Sequence, residues 1–439
     1  MINRLAAEDA AYKAGQSFMH DVQSSEMAGG SRSCHEPTDP AAWAIQAGLA
    51  GAPELDLLRG FCERAVAIGL PIARAQVLID TLHPIHEGRV FRWKADRAGE
   101  VVEYGRTTEN DALADKWRQS PLHHLERTGE PMLRRQLGDD RSADFPILSD
   151  LRTQGYTDYL ACAHRFAGDG VIGEMDCVYS SWASDAPGGF SEGQVETLCR
   201  LSAPLALAVK CASLTRIAAT LVETYLGRDA GRRVLEGRIA RGVADRIGAV
   251  LWFSDLRDFT RITDTTAPEQ IIPLLNDYAE AVISAIHEAG GEVLRLIGDG
   301  ILAIFTDDTA GSACRCALDA EMRARERVNA VSERRRNQGL PTTSAYLSLH
   351  VGDVFYGNIG SSDRLDFTVV GPAVNEASRI ASLCRSIKRN VLISSAFAAS
   401  AFEEDRLRLV SVGRHELRGV AHPQELFTLG PDDRAVLSG

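Results

Sequence analysis

Between Val250 and Phe305 the chain runs through an apolar segment ending in a carboxylate (AVLWFSDL), an amphipathic segment with marked ends, and a second apolar pair broken by a tight turn (EVLRLIGDGILAIF). That order constrains the fold more than any other feature. AVLWFSDL is short and rich in Val, Leu, Trp and Phe, which predicts a buried strand. In TTAPEQIIPLLNDYAEAVISAIHEAGG, Thr precedes the start, Pro and Glu occupy the first turn and Gly follows the end, so one helix is expected. Its apolar positions Ile271, Leu274, Leu275, Tyr278, Val282 and Ile286 recur at helical spacing and commit one stripe to a core. EVLRLIGDGILAIF predicts two strands joined at Gly298-Asp299-Gly300, where glycine admits positive φ. A long helix over about 310–338 comes next, then strands in SAYLSLHVGDVFYG and LDFTVVG, a helix in AVNEASRIASLCR, and strands in VLISSAF, LRLVSVGRHEL and QELFTLG. Helices interleaved with a mostly antiparallel set of strands predict an α+β domain.

The chain has 439 residues, enough for two or three domains. Residues 1–50, with the loop signal GGSRSCHEPTDP, read as a flexible arm. Residues 51–210 read as an α+β domain of the small sensor type. It begins with a helix carrying Leu57, Leu58, Phe61, Ala65 and Ile68, and continues with strands in ARAQVLIDTL, GRVFRWKA and EMDCVYSSWAS. Residues 211–245 read as a helical linker, 246–430 as the second α+β domain and 431–439 as a tail. GDGVIG at 168–173 matches GxGxxG, but a strand-like segment follows where a dinucleotide fold needs a helix, so a hairpin turn is expected.

A formal charge of −12 argues against general nucleic-acid or anionic-membrane binding, so neither partner is expected. No uninterrupted apolar run of about 18 residues occurs, so no transmembrane helix is expected. The nine cysteines show no CxxC pair and no His/Cys ligand spacing, which reads as reduced thiols in a cytoplasmic chain. The arginines of the 310–338 helix read as a solvated face. No GxxxxGK[ST] loop is present, which disfavours a P-loop ATPase.

The chemistry-bearing residues form two groups. Asp255 ends a strand and Asp299 sits in a hairpin; either alone is what a helix cap looks like, but a strand end beside a hairpin can place both in one cleft. Paired carboxylates holding Mg²⁺ are a standard requirement for moving phosphoryl groups. Asn375 and Arg379 are four apart on one predicted helix and share a face, where an amide and a guanidinium suit a ribose and a phosphate oxygen. Thr368, on the preceding strand, has a hydroxyl suited to a base edge.

FSDLRDFT, VLRLIGDGILAIF, FTVVGPAVNEASRI and the closing HELRGVAHPQELFTL, in that order, resemble the class III nucleotidyl cyclases over about residues 245–430. The 51–210 region resembles GAF-type sensor domains by its order of elements. The resemblance implies a ferredoxin-like or palm-like catalytic domain. It implies that Asp255 and Asp299, with the Leu256 carbonyl, bind two Mg²⁺ or Mn²⁺ ions per site. It further implies that Asn375 and Arg379 orient the ribose and stabilise the transition state, that Arg295 and Thr368 read the base, and that Arg418 meets the terminal phosphates. A homodimer with shared sites is implied, one chain supplying the aspartates and the other the remaining groups. The expected activity is an adenylate cyclase, ATP to cyclic AMP and pyrophosphate, with an unknown small-molecule effector at the N-terminal domain. Arginine at 295, where the family usually has lysine, leaves GTP as the alternative substrate, and a nucleotide-binding module without turnover as the alternative function.

Overall fold

The computed structural model describes residues 38–105, 111–138, 144–168, 171–173, 175–418, 420 and 422–430. The chain divides into two compact units, residues 1–214 and 215–439. Residues 1–37 of the expected arm and the whole 431–439 tail lie outside the described residues.

The first unit is built on a six-stranded antiparallel sheet. Its strands are β1 (Arg74–Asp80), β2 (His86–Lys94), β3 (Arg97–Gly105), β4 (Met132–Gln136), β5 (Asp158–Arg165) and β6 (Cys177–Ser184), in the spatial order β3-β2-β1-β6-β5-β4. Strand β1 alternates as a half-buried strand should: Ala75, Val77 and Ile79 are fully buried on one face, while Arg74, Gln76, Leu78 and Asp80 share the other. The helix Glu54–Ala67 packs on β1 and β2. Part of the expected arm belongs to this unit. Residues Pro40–Leu49 form a helix capped by Asp39, whose side chain accepts the Ala42 N–H at 2.9 Å. Ala44 is buried, and Trp43 lies so close over Gly60 that a Cβ there would collide with the indole. The helix therefore begins at the last residue of the polar GGSRSCHEPTDP signal. GDGVIG leads into β6 rather than a helix, with Gly173 at φ 62; its residues 169 and 170 lie outside the described residues.

The helix Glu192–Leu226 corrects one expectation. By length and composition it is apolar enough to cross a membrane, although no uninterrupted apolar run exists, because Ser, Thr and Pro punctuate a segment with few charges. A third of its most apolar window is buried, and Leu198, Leu201, Leu205 and Val209 are core residues. The expected helical linker is also altered. The long helix stops at Leu226, Gly227 turns the chain at φ 88, a short helix spans Arg228–Leu235, and a strand begins at Ala244. Leu226, Ala230 and Val234 pack into the core of the second unit, so this stretch is part of that unit.

The second unit holds β7 (Ala244–Leu256), β8 (Glu292–Ile297), β9 (Gly300–Phe305), β10 (Ala345–Gly360), β11 (Leu365–Val370), β12 (Val391–Ser394), β13 (Leu409–His415) and β14 (Gln424–Leu429). The order is β13-β14-β12-β10-β7-β9-β8, with β11 on β10; only the β10–β12 pairing is parallel. Central β7 is covered on both faces. Val250 and Trp252 enter the core formed with the helices Pro268–Glu288 and Ala310–Asn337, and Ala249 and Leu251 enter the core under the helix Pro372–Ile387. That double burial is why AVLWFSDL reads as a continuous apolar run rather than an alternation. On Pro268–Glu288, Leu274, Tyr278, Val282 and Ile286 are buried as the spacing predicts, while Ile271 and Leu275 are only partly covered.

The two long helices are tied by a buried guanidinium. Arg335 is 2% exposed; its Nε donates to the Pro341 carbonyl at 2.8 Å and its fork pairs with Asp277. Replacing Asp277 by Ala should strand that charge and cost about 3 kcal/mol, the lower end for a broken buried pair because Asp277 itself keeps some contact with water. Urea denaturation of the two proteins measures it; an unchanged midpoint would show that Arg335 finds another partner.

Candidate active site

Asp255 is the last polar residue of β7, directly opposite Tyr346 of β10 in the ladder. Trp252 and Ser254 anchor the strand just before it: the indole N–H donates to the buried Ser254 hydroxyl at 3.0 Å. Asp299 occupies the second position of the two-residue turn between β8 and β9, closed by the Ile297–Gly300 pair. Of the three residues Gly298-Asp299-Gly300, only Gly298 takes positive φ, at 63, as a turn with Gly in the first central position requires. The neighbouring β7–β9 ladder brings the turn against the end of β7.

The two carboxylates thereby line one cavity, close enough for Asp299 to act directly on Asp255. The Leu256 N–H donates to Asp299 Oδ2 at 3.2 Å and fixes its orientation. Burial first, then the hydrogen bond and charge of Asp299, push the Asp255 carboxyl up to about 7. Two acids held together without a balancing cation among their immediate hydrogen-bond partners are suited to a hard divalent ion such as Mg²⁺ or Mn²⁺. The cavity around them, about 190 Å³, is lined by Leu275, Tyr278 and Val282 on one side and Leu296 and Ile301 on another. Among the described residues no group of three or more His, Cys, Asp and Glu is placed to hold a metal ion, so protein carboxylates would supply only part of a coordination shell.

The other candidate residues stand elsewhere. Arg295, Thr368, Asn375, Arg379 and Arg418 do not line the carboxylate cavity. Asn375 is exposed and Arg379 partly so, on the outer side of the helix Pro372–Ile387, whose inner side buries Ala373, Ala377, Ile380 and Ala381. That helix is fastened to β10 where the Ser348 hydroxyl donates to the Ala377 carbonyl at 2.7 Å. Arg418 is exposed beyond β13, beside residue 419, which lies outside the described residues.

Arg295 lies on β8 and Thr368 on β11. The Arg295 guanidinium forms an ion pair with Asp366, not with Thr368, which is 7% exposed two residues further along β11. Residues two apart share a face of a strand, and the carboxylate outcompetes a hydroxyl for the guanidinium. A second side chain was missed at the carboxylates. Arg385, in the last turn of the helix Pro372–Ile387, pairs with Asp258 and hydrogen-bonds Tyr346. Its charge also favours the ionised form of Asp255. Asp258 holds the left-handed conformation, φ 55, at the start of the helix Phe259–Thr265. The signal for this pair was present: FSDLRDFT carries a second acid three residues after Asp255, and Arg385 stands at a helix C-terminus, where basic residues gather.

The family model for the adenylate and guanylate cyclase catalytic domain matches residues 244–430. The second unit is a class III nucleotidyl cyclase catalytic domain. The chain is similar to an adenylate cyclase of Anabaena cylindrica, 35% identical over 175 residues, which are 38% of this chain and 34% of that protein. It is also similar to adenylate cyclase 1 of Rhizobium meliloti, 27% identical over 218 residues, 48% of this chain and 32% of that one. The chain thus spans about a third of the length of these curated relatives. Among solved structures, the adenylyl cyclase CyaB from P. aeruginosa is 23% identical with a TM-score of 0.40, covering 43% of this chain and 96% of that one. Cyclase catalytic domains of this family are lyases that dimerise, bind nucleotide and use divalent metal ions.

The cyclase turn at Gly298 gives a direct test. Gly298→Ala forces a Cβ into a left-handed conformation and should cost about 1–2 kcal/mol. Because the strain acts on the turn that presents Asp299, Mn²⁺ affinity measured by electron paramagnetic resonance should fall with it. Unchanged stability and affinity would mean that the turn is not held in this conformation.

Proposed function

We propose that the protein is an adenylate cyclase, converting ATP to 3′,5′-cyclic AMP and pyrophosphate in the cytoplasm under control of its N-terminal unit. The observation that carries this reading is the placement of Asp255 and Asp299 in one cavity at the ends of two neighbouring strands. The naming of both curated relatives as adenylate cyclases supports the choice of ATP, and so does a hydroxyl rather than an acid at Thr368. Eight free cysteines among the described residues fit a reducing compartment.

Asp255, Asp299 and the Leu256 carbonyl would hold two Mg²⁺ or Mn²⁺ ions. Ions held there lower the pKa of the ribose 3′-hydroxyl and offset charge on the phosphates. The protein's own groups do the rest. Asn375 orients the ribose and Arg379 donates to the oxygens on the α-phosphorus, where negative charge builds as the 3′-oxygen–phosphorus bond forms and the bond to pyrophosphate breaks. The hydroxyl proton passes to solvent. Arg418 meets the terminal phosphates. Positioned donors of this kind act by preorganisation, and losing one typically costs about 3–4 kcal/mol, or 10²–10³ in rate.

The site is completed by a second copy of the chain in this reading. Within one chain, Asn375 and Arg379 lie outside the carboxylate cavity. Leu296, Ile297, Phe355 and Val370 are exposed on the strands flanking the site, Leu296 by 57%, and a head-to-tail homodimer would cover them. GTP has one observation in its favour: the Asp366 carboxylate beside Arg295 could accept from guanine while the arginine donates to its O6 and N7.

Purified protein with Mn²⁺ and either ATP or GTP, followed by chromatography of the cyclic product, decides the reaction. ATP should give the higher kcat/KM; the opposite order would move the assignment to guanylate cyclase. Asp299→Ala should lose essentially all product, and near-normal turnover by that variant would refute the carboxylate role. Asp255→Ala and Arg379→Ala, each inactive alone, should recover partial activity on mixing, since one site of a heterodimer is intact. Verified heterodimers without activity would exclude the shared site.

A further inference from the structure

A cavity of about 960 Å³ lies in the first unit, at the upper end of the range for small-molecule sites. One wall is the face of β1 that carries Arg74, Gln76, Leu78 and Asp80. The arginine and the aspartate are therefore at opposite ends of the cavity floor. Six residues of strand separate their Cα atoms by roughly 20 Å at about 3.3 Å per residue.

The basic end is built from two strands. Arg92 of β2 faces Gln76 in the β1–β2 ladder, which puts it diagonal to Arg74 on the same face. The Arg92 Nε is buried without a hydrogen-bond partner, and the ion pair of its guanidinium with Glu100 is a long one, 3.4 Å. Burial, and then repulsion from Arg92, push the Arg74 guanidinium below its ordinary value, a tension that a bound anion relieves.

The acidic end is equally constructed. The Tyr104 hydroxyl reaches across β2 to donate to Asp80 Oδ1 at 2.6 Å. Gly88 makes that reach possible, since a Cβ there would strike the Tyr104 hydroxyl. Glu87, Glu126 and Asp176 also line this cavity and add negative potential at Asp80, whose carboxyl burial pushes up to about 7. Between the ends, Leu78, Val90, Val102, Trp117 and Tyr179 form an apolar and aromatic wall.

We propose that this cavity binds a dipolar organic molecule, with an anionic group at Arg74 and Arg92, an ammonium at Asp80, and an apolar body along the wall between them. The proposal concerns the first unit alone and stands whether or not the second turns over ATP. Allowing for the reach of the arginine and aspartate side chains, a chain of about eight carbons would bridge the two ends.

The test uses the full chain and the fluorescence of anilinonaphthalenesulfonate, an aromatic anion, displaced by three probes: 8-aminooctanoate, octanoate and octylamine. The zwitterion should displace the dye at concentrations about tenfold below either singly charged analogue. Arg92→Gln should erase its advantage over octylamine, and Asp80→Asn its advantage over octanoate. Circular dichroism checks each variant, and Arg74→Gln substitutes for Arg92→Gln if that protein does not fold. Equal potency of the three probes, a ranking untouched by the variants, or no enhancement of the dye's fluorescence would each overturn the proposal.

Discussion

Two carboxylates brought into one cavity govern the second unit. Asp255 and Asp299 repel when both are ionised, so the fold must hold them together against that repulsion. It does so with backbone. Asp255 is part of β7, a strand buried on both faces, and Asp299 sits in a two-residue turn whose flanking strand pairs with β7. The Leu256 N–H then fixes the second acid relative to the first. The core around β7 is in this sense the support of the site: the buried Trp252 and the helices Pro268–Glu288 and Ala310–Asn337 keep the strand end where the turn can meet it.

The helix Pro372–Ile387 serves two places at once. Its outer side carries Asn375 and Arg379, outside the carboxylate cavity, while its last turn delivers Arg385 to Asp258 and Tyr346 beside Asp255. One rigid element, fastened through Ser348 to the central strand pair, so relates Asn375 and Arg379 to the acids of the same chain. In a shared site that linkage would couple the two halves of a dimer through a single helix.

Much of the catalytic unit was legible because local pattern and tertiary role coincide there. The strand ending in Asp255, the Gly298-Asp299 turn, the helix beginning at Pro268 and the Asn375–Arg379 spacing all appear in the structure where periodicity and turn chemistry place them. Three readings differed for physical reasons. Helical periodicity runs on past Gly227, so the segment to Leu235 looked like a linker although its apolar residues enter the second core. A count of uninterrupted apolar residues passed over Glu192–Leu226, where small polar residues interrupt an otherwise apolar helix. The polar composition before Pro40 hid a capped helix immediately after it.

Periodicity, turn residues and helix ends depend on neighbours a few positions away, and on that scale the sequence alone determined the strands, the turn and the helix faces of this protein. Only the tertiary structure decided that Arg295 meets Asp366 rather than Thr368, that Arg385 reaches Asp258, and that Arg74, Arg92 and Asp80 line one cavity. Those encounters depend on strand order and register between segments up to 127 residues apart, Arg385 and Asp258 being the most distant. Packing sets that register through the whole core at once, and no local run of residues carries it.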